Sequence, residues 1–371
     1  MSIRYSKHVS SPTSKAVKAA RAATPQNQPL PGTKQTANAA GGFAWDVNKW
    51  KRLERFVILG SEGGTYYVGE GKLTRENAKA VEACIAEDGP RVVKYIAEVS
   101  DAGRAPKNDP ALFVLAMCMK LGDEATRKAA CEAVPQVARI GTHILHLADY
   151  VQAFGGWGRG TRRAFARWFT DKETADLAFQ VIKYQSRDKW SMRDLLRLSH
   201  PKAKGGLNAV FKWVTKGERV RYLPEVVAAF EDLKGCKSPV DAARLITEHR
   251  LPRECVPTEL LNSVEVWEAL LPGMGRTAMM RNLAKMTNIG FVSQGSTASK
   301  TIIGKLTDQD GLTKDRIHPI AVLTALKTYG QGHGEKGKLT WTPVQKIVDA
   351  LDSAFYLAFK AVEPTGKSIL L

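Results

Sequence analysis

The sequence predicts an all-α protein, an array of short antiparallel helices rather than one compact bundle. Three observations predict it. From Trp45 onward, apolar residues recur at i, i+3, i+4 and i+7 in segment after segment, the period of a helix with one buried stripe. The joints between segments are short and polar or carry Gly and Pro, as in 87–90 (Glu-Asp-Gly-Pro), 107–110 (Lys-Asn-Asp-Pro) and 234–239. Helices of about 10–15 residues with tight connections make antiparallel neighbours, the pattern of HEAT or armadillo arrays.

In chain order, the period predicts helices over 75–87, 91–100, 110–121, 123–134, 161–169, 173–184, 207–215, 239–249, 278–286, 320–329 and 343–359. In 207–215 it reads Leu207, Val210, Phe211, Val214; in 343–359, Val344, Ile347, Val348, Leu351. A further helix carries Arg193 and Arg197, with Ser191 placed to cap it. Residues 65–71 read as a small hairpin or a loop. No internal identity phases the repeats.

Composition narrows the class. The chain has 371 residues, 44% of them hydrophobic and 25% charged, as in globular proteins. Its longest apolar run, 111–119, is far short of the roughly 20 residues that cross a bilayer. Five scattered cysteines contain no CxxC pair, which argues against a metal ribbon or disulfide framework and for a reducing, cytoplasmic setting. Residues 1–42, rich in Ala, Ser, Thr, Lys and Pro, cannot build a core and read as a disordered basic arm. An organelle transit peptide is the competing reading of that arm.

Charge is the sharpest functional signal. The net charge is +18; residues 1–42 carry +6 with no acid, and residues 157–222 carry +10, from sixteen Lys/Arg against six acids. The remainder is nearly balanced at +2. Such localisation marks a surface with a polyanionic partner, nucleic acid first. Arg159, Arg162, Arg163 and Arg167 lie i, i+3, i+4, i+8 and form one cationic stripe if 158–169 is helical, with Ala164, Phe165 and Trp168 facing elsewhere. Lys183 and Arg187 lie i, i+4 near the end of the next helix. Arg193, Arg197 and His200 lie i, i+4, i+7 on the one after, and Lys202 and Lys204 follow in a Pro/Gly loop. Like charges on one face repel by a few tenths of a kcal/mol per pair, a cost that a phosphate backbone would offset. The bland alternative is a solvated face.

Several runs carry a more specific signal. They are Arg55-Phe56, 60–67 (Gly-Ser-Glu-Gly-Gly-Thr-Tyr-Tyr), Trp157-Gly158-Arg159, 194–200 (Asp-Leu-Leu-Arg-Leu-Ser-His), 281–286 (Arg-Asn-Leu-Ala-Lys-Met), 316–319 (Arg-Ile-His-Pro) and 363–367 (Glu-Pro-Thr-Gly-Lys). Together, and in order from about Trp45 to the C-terminus, they resemble the Ro autoantigen family, whose shared module is named TROVE for telomerase, Ro and vault. The likeness is to a bacterial or phage Ro protein. The resemblance implies HEAT-like repeats closed into a ring over 43–363. It implies Y-like small noncoding RNA on the outer surface, and single-stranded 3′ ends of misfolded RNA in the central hole. It also implies service in RNA quality control beside an exoribonuclease; the residues themselves show no catalytic constellation, so no enzymatic activity of the chain is expected. Aligned on Leu198-Ser199-His200, the family's residues that touch the Y RNA stem fall on Lys183, Arg187 and His200; the stripe 159–167 comes from periodicity alone. Family members usually continue into a von Willebrand A-type domain with a metal-binding Asp-x-Ser-x-Ser. Here 364–371 reads as the stub of such a domain, the motif is missing, and neither a metal nor a cofactor is expected.

Other motifs point to no chemistry. Residues 361–368 fit a phosphate-loop pattern, but a helix precedes them and three residues follow, where strand, loop and helix are needed. His143 and His146 lie i, i+3 with no further ligand evident nearby. Trp157, Trp190, Trp213 and Trp341 read as core rather than base-stacking residues. Arg281 and Lys285, i, i+4, have two open readings: lining of the hole, or surface salt-bridge donors. Two rival functions also stand beside RNA binding. One is a helical scaffold for an acidic protein partner; the other is a ribonuclease.

Overall fold

A computed structural model describes residues 47–62, 68–203, 205–334 and 337–362, with short stretches between 28 and 45. These fall into two units, one ending at Arg52 and one beginning at Leu53. In the first, β1 (Gln35–Ala37) and β2 (Phe43–Trp45) pair antiparallel, Gln35 opposite Trp45. Asn38 closes their turn: its N–H donates to Gly42 O at 2.8 Å, and its Oδ1 accepts from Gly42 N at 3.0 Å. The expectation of a disordered arm to residue 42 therefore fails at 35–37, where an Asn-anchored turn lets two short strands pair. Most of 1–33 lies outside the described residues, as do Lys204 and 363–371, which hold the expected stub and most of the phosphate-loop pattern.

The helices are α1 (Lys49–Leu59), which crosses the division between units, then α2 (Glu70–Ala102), α3 (Asp109–Leu121), α4 (Glu124–Val137), α5 (Gly141–Ala153), α6 (Arg159–Thr170) and α7 (Thr174–Lys183). A hairpin of β3 (Ser186–Arg187) and β4 (Trp190–Ser191) leads into α8 (Met192–Ser199). There follow α9 (Gly206–Lys216), α10 (Glu225–Lys234), α11 (Pro239–His249), α12 (Val264–Leu270), α13 (Arg276–Asn288), α14 (Thr297–Thr307), α15 (Gln309–Lys314), α16 (Pro319–Gly330) and α17 (Gln345–Leu357). The expected hairpin or loop at 65–71 ends sooner, since Glu70 and Gly71 open α2; residues 65–67 lie outside the described set.

Packing is between near neighbours in two rows. Helices α2, α4, α6 and α8 stack successively, while α3, α5, α7 and α10 form the second row against them. This is the two-layer logic of helical repeats, in which each unit buries its apolar stripe on the next. Trp168 and Trp267 are fully buried, and their indole N–H groups donate to Ala138 O at 2.5 Å and Leu261 O at 2.9 Å. The joint at 87–90 is a kink inside α2: Asp88 leaves helical geometry (φ −156°, ψ 78°), Pro90 has no N–H to give, and Asp88 Oδ1 accepts from Arg91 N at 3.0 Å. Gly89 is required there, because a Cβ would lie 2.0 Å from Thr126 Oγ1 of α4.

One contact spans 215 residues. Arg316, before α16, donates from Nε to Asp101 O at 2.6 Å and from Nη2 to Asp101 Oδ1 at 3.0 Å, at the end of α2. Arg139 joins the same seam, donating to Ser100 O at 2.7 Å and Ser100 Oγ at 2.6 Å. Beside it His143 is half-buried against Asn108, and desolvation, with Arg139 next in weight, pulls its pKa down to about 3. His146 instead reaches Asp188 through Nδ1. Among the described residues no helix is long and apolar enough to cross a membrane, and no group of three potential ligands could hold a metal ion.

Candidate nucleic-acid interface

Helix α6 carries the stripe because its apolar residues, Ala164, Phe165, Trp168 and Phe169, are all buried in the array. Arg159, Arg162 and Arg163 are thereby turned outward and exposed. Arg167, half-buried, is tethered to α4 by a 2.9 Å bond from Nη2 to Cys131 O. Its Nε is buried with no partner among the described residues, a donor left unspent.

The neighbouring helix α8 is short and firmly begun. Ser191 and Asp194 form a reciprocal capping box: Ser191 N donates to Asp194 Oδ2 at 2.9 Å, and Asp194 N to Ser191 Oγ at 3.2 Å. The helix ends at Ser199. His200 turns into the left-handed region (φ 47°, ψ 52°), where its N–H closes on Leu196 O at 3.0 Å. Because His200 lies past the helix end, the expected i, i+4, i+7 face with Arg193 and Arg197 does not form. His200 instead joins the α6 stripe. Arg159, Arg162, Arg163 and Arg167, with His200 and Lys202, line one groove of about 670 Å³, closed by Thr170, Ser199, Pro201 and Leu207. Among the described residues no carboxylate lines it, and none of its six basic side chains has a carboxylate oxygen within 4.0 Å.

Lys183 and Arg187 lie elsewhere. Helix α7 stops at Lys183 and the chain turns to strand at Tyr184 (φ −118°, ψ 66°), so Arg187, in the β3–β4 hairpin, does not share the expected i, i+4 helical relation with it. The hairpin turns at Asp188 and Lys189, both with positive φ (50° and 67°). Such turns suit the strand twist but usually take Asn or Gly, so the sequence carries no local signal for this hairpin. Lys183 lines a second cavity of about 1030 Å³ with Arg244, Arg250 and Arg253, among four carboxylates, Glu248, Glu254, Glu265 and Glu268. Arg187 Nε sits 3.9 Å from Asp188 Oδ1. Arg193 and Arg197 are exposed on α8, outside the groove lining. On α13 Arg281 is exposed, and Lys285 donates to Asn262 Oδ1 at 2.6 Å. Neither lines either cavity. The four tryptophans pack rather than project: Trp157 lies 4.7 Å from Phe165 and 5.6 Å from Trp190, and Trp213 and Trp341 are buried. The arginines of the second cavity escaped the sequence reading because nearby acids cancel them in any charge profile.

A two-row helical array bearing an unneutralised cationic groove defines a class, the helical-repeat proteins with a basic surface cleft. Within that class the chain belongs to the TROVE domain family, whose model matches residues 36–238 and 241–328. It is 39% identical over 360 residues to a Deinococcus radiodurans protein named RNA-binding protein RO60, covering 95% of this chain and 68% of that one. A Caenorhabditis elegans protein of the same name is 35% identical over 418 aligned residues, covering 91% and 65%. The crystal structure of the Deinococcus radiodurans RO (RSR) protein superposes with a TM-score of 0.68 at 37% identity, covering 85% of this chain and 65% of that one. The chain thus spans about two thirds of the length of these relatives.

Proposed function

We propose that this chain is an RNA-binding protein of the Ro type that grips phosphates in the α6–α8 groove. The observation that carries the reading is the groove itself: four arginines of α6 and His200 and Lys202 from the loop after α8, with no carboxylate in the lining among the described residues. Each guanidinium presents a planar fork that fits phosphate oxygens. Two relatives named as RNA-binding proteins support RNA over an acidic protein. The finer reading is that a Y-like noncoding RNA stem lies on this groove, with Lys183 and Arg187 as flanking contacts. On the same reading, single-stranded 3′ ends enter a hole at the centre of a closed array, and the 215-residue contact between Arg316 and Asp101 supports closure. The chain would act without catalysis, in the cytoplasm, delivering RNA to an exoribonuclease. The test is titration of a labelled structured RNA across KCl concentrations. The log affinity should fall by about 0.7–0.9 per phosphate contact for each unit of log salt. A flat salt dependence, or RNA cleavage by the pure protein with Mg²⁺, overturns the reading.

A further inference from the structure

The loop from 217 to 224, between α9 and α10, holds an aromatic ring that folding does not explain. Leu223 N donates to Val220 O at 3.2 Å, closing a four-residue turn with Tyr222 third. Tyr222 has φ 72°, a conformation that this turn position normally reserves for Gly or Asn. A bulky side chain there is strained, and strain of this kind persists where something else recovers it. Burial does not recover it, because Tyr222 is 77% exposed, the most exposed of the large hydrophobic residues described. The Arg221 guanidinium lies over the ring, 5.3 Å from its centroid. Among the described residues no other ring stacks on Tyr222 and no carboxylate pairs with Arg221.

We infer that Tyr222, with Arg221 against its ring, is a stacking platform for an unpaired RNA base next to the segment held in the α6–α8 groove. The inference rests on the RNA-binding reading of that groove. Position and charge both favour it. Helix α9 starts just after Lys202 of the groove and ends at Lys216 just before the loop, and its eleven residues span about 16 Å, a few nucleotides of single strand. Lys216, Arg219 and Arg221 make the path basic, though Lys216 has Glu218 at 3.6 Å and Arg219 has Asp232 at 3.1 Å. Arg221 alone of the three is without an ion pair among the described residues, so its charge is available to a phosphate. Aromatic rings bind bases without sequence preference, since every base has a π face.

The experiment compares two RNAs, a blunt hairpin and the same hairpin with a five-nucleotide single-stranded tail, on the full chain and three variants. Tyr222→Asn keeps the turn, because Asn tolerates positive φ, and removes the ring. It should bind the tailed RNA about fivefold to tenfold more weakly, bind the blunt hairpin unchanged, and melt no lower than the parent. Tyr222→Trp should restore the preference for the tail. The combined Arg159, Arg162 and Arg163→Ala variant should weaken binding of both RNAs about a hundredfold. If the parent binds the hairpin but shows no preference for the tail, or if Tyr222→Asn binds the tailed RNA as the parent does, the stacking site is overturned while the groove stands. The second result would leave the ring to a protein partner. If the parent binds neither RNA, the groove reading itself has failed.

Discussion

The α6–α8 groove and the Lys183 cavity are both lined by cations, yet they are electrically opposite environments. Among the described residues, six basic groups in the groove meet no carboxylate, while in the cavity four basic residues face four glutamates. A polyanion entering the groove neutralises charge that the protein leaves bare. A polyanion entering the cavity must first compete with glutamates already there. A count of Lys and Arg is therefore a poor guide to binding, and the local balance is the better one. Arg276 marks the far end of the scale: 14% exposed, it binds Asp308 Oδ2 at 2.5 Å and Asp315 Oδ2 at 2.7 Å, and is wholly occupied in holding α13 to α15 and its following turn.

The contrast can be broken most directly at the groove. Replacing Arg159, Arg162 and Arg163 together with Ala should weaken structured RNA about a hundredfold at moderate salt and lower the salt slope by roughly 2–3, with little change in melting temperature. Fluorescence anisotropy across a KCl series reads both, and an unchanged slope would place the phosphates elsewhere. The seam at His143 predicts the next effect. His143 must stay neutral when folded, so the unfolded chain binds more protons between the folded value of about 3 and the ordinary value near 6.5. Stability is complete above about 6.5 and is lost as pH falls, by about 2 kcal/mol at pH 5. Denaturation of the parent and His143→Gln at both pH values should show the parent losing more.

Arg276→Ala should cost about 1.5–2 kcal/mol of stability, because two carboxylates lose their partner, and leave RNA affinity within twofold. Loss of affinity there would erase the distinction between spent and unspent arginines. Lys183→Ala with Arg187→Ala carries the smallest effect, about fivefold in affinity for the small RNA, roughly 1 kcal/mol. An effect as large as that of the groove triple would show that the glutamate-balanced cavity is no less an RNA surface than the bare one.

Much of this arrangement was legible in the residues. The 3.6 period located α3, α6, α9 and α11 to within a few residues, since each buries one continuous stripe against a neighbour. The stripe on α6 follows from that period, because burying Phe165 and Trp168 leaves only one face for four arginines. Periodicity erred where the chain leaves the helix without Gly or Pro to announce it. Asp188, Lys189 and His200 all take positive φ; periodicity misses the β3–β4 hairpin, phases Arg187 with Lys183 of α7, and phases His200 onto α8. The joining of His200 and Lys202 to the α6 stripe was not legible either. It depends on α6 packing beside α8, a tertiary fact with no local signature. Tyr222 went unnoticed for a similar reason, since an exposed aromatic in a loop has no period to violate.

The bond between Arg316 and Asp101 has a consequence for how the chain is made. Its two ends are separated by 215 residues, so on a ribosome adding about 5–20 residues per second the α2 terminus waits some 10–40 s for its partner to emerge. During that interval the earlier helices can stack and Arg139 can close on Ser100, since these contacts are sequentially close, but Asp101 stays unlatched. Nascent chains should therefore gain protease resistance in two stages, the second only after the C-terminal helices have left the exit tunnel.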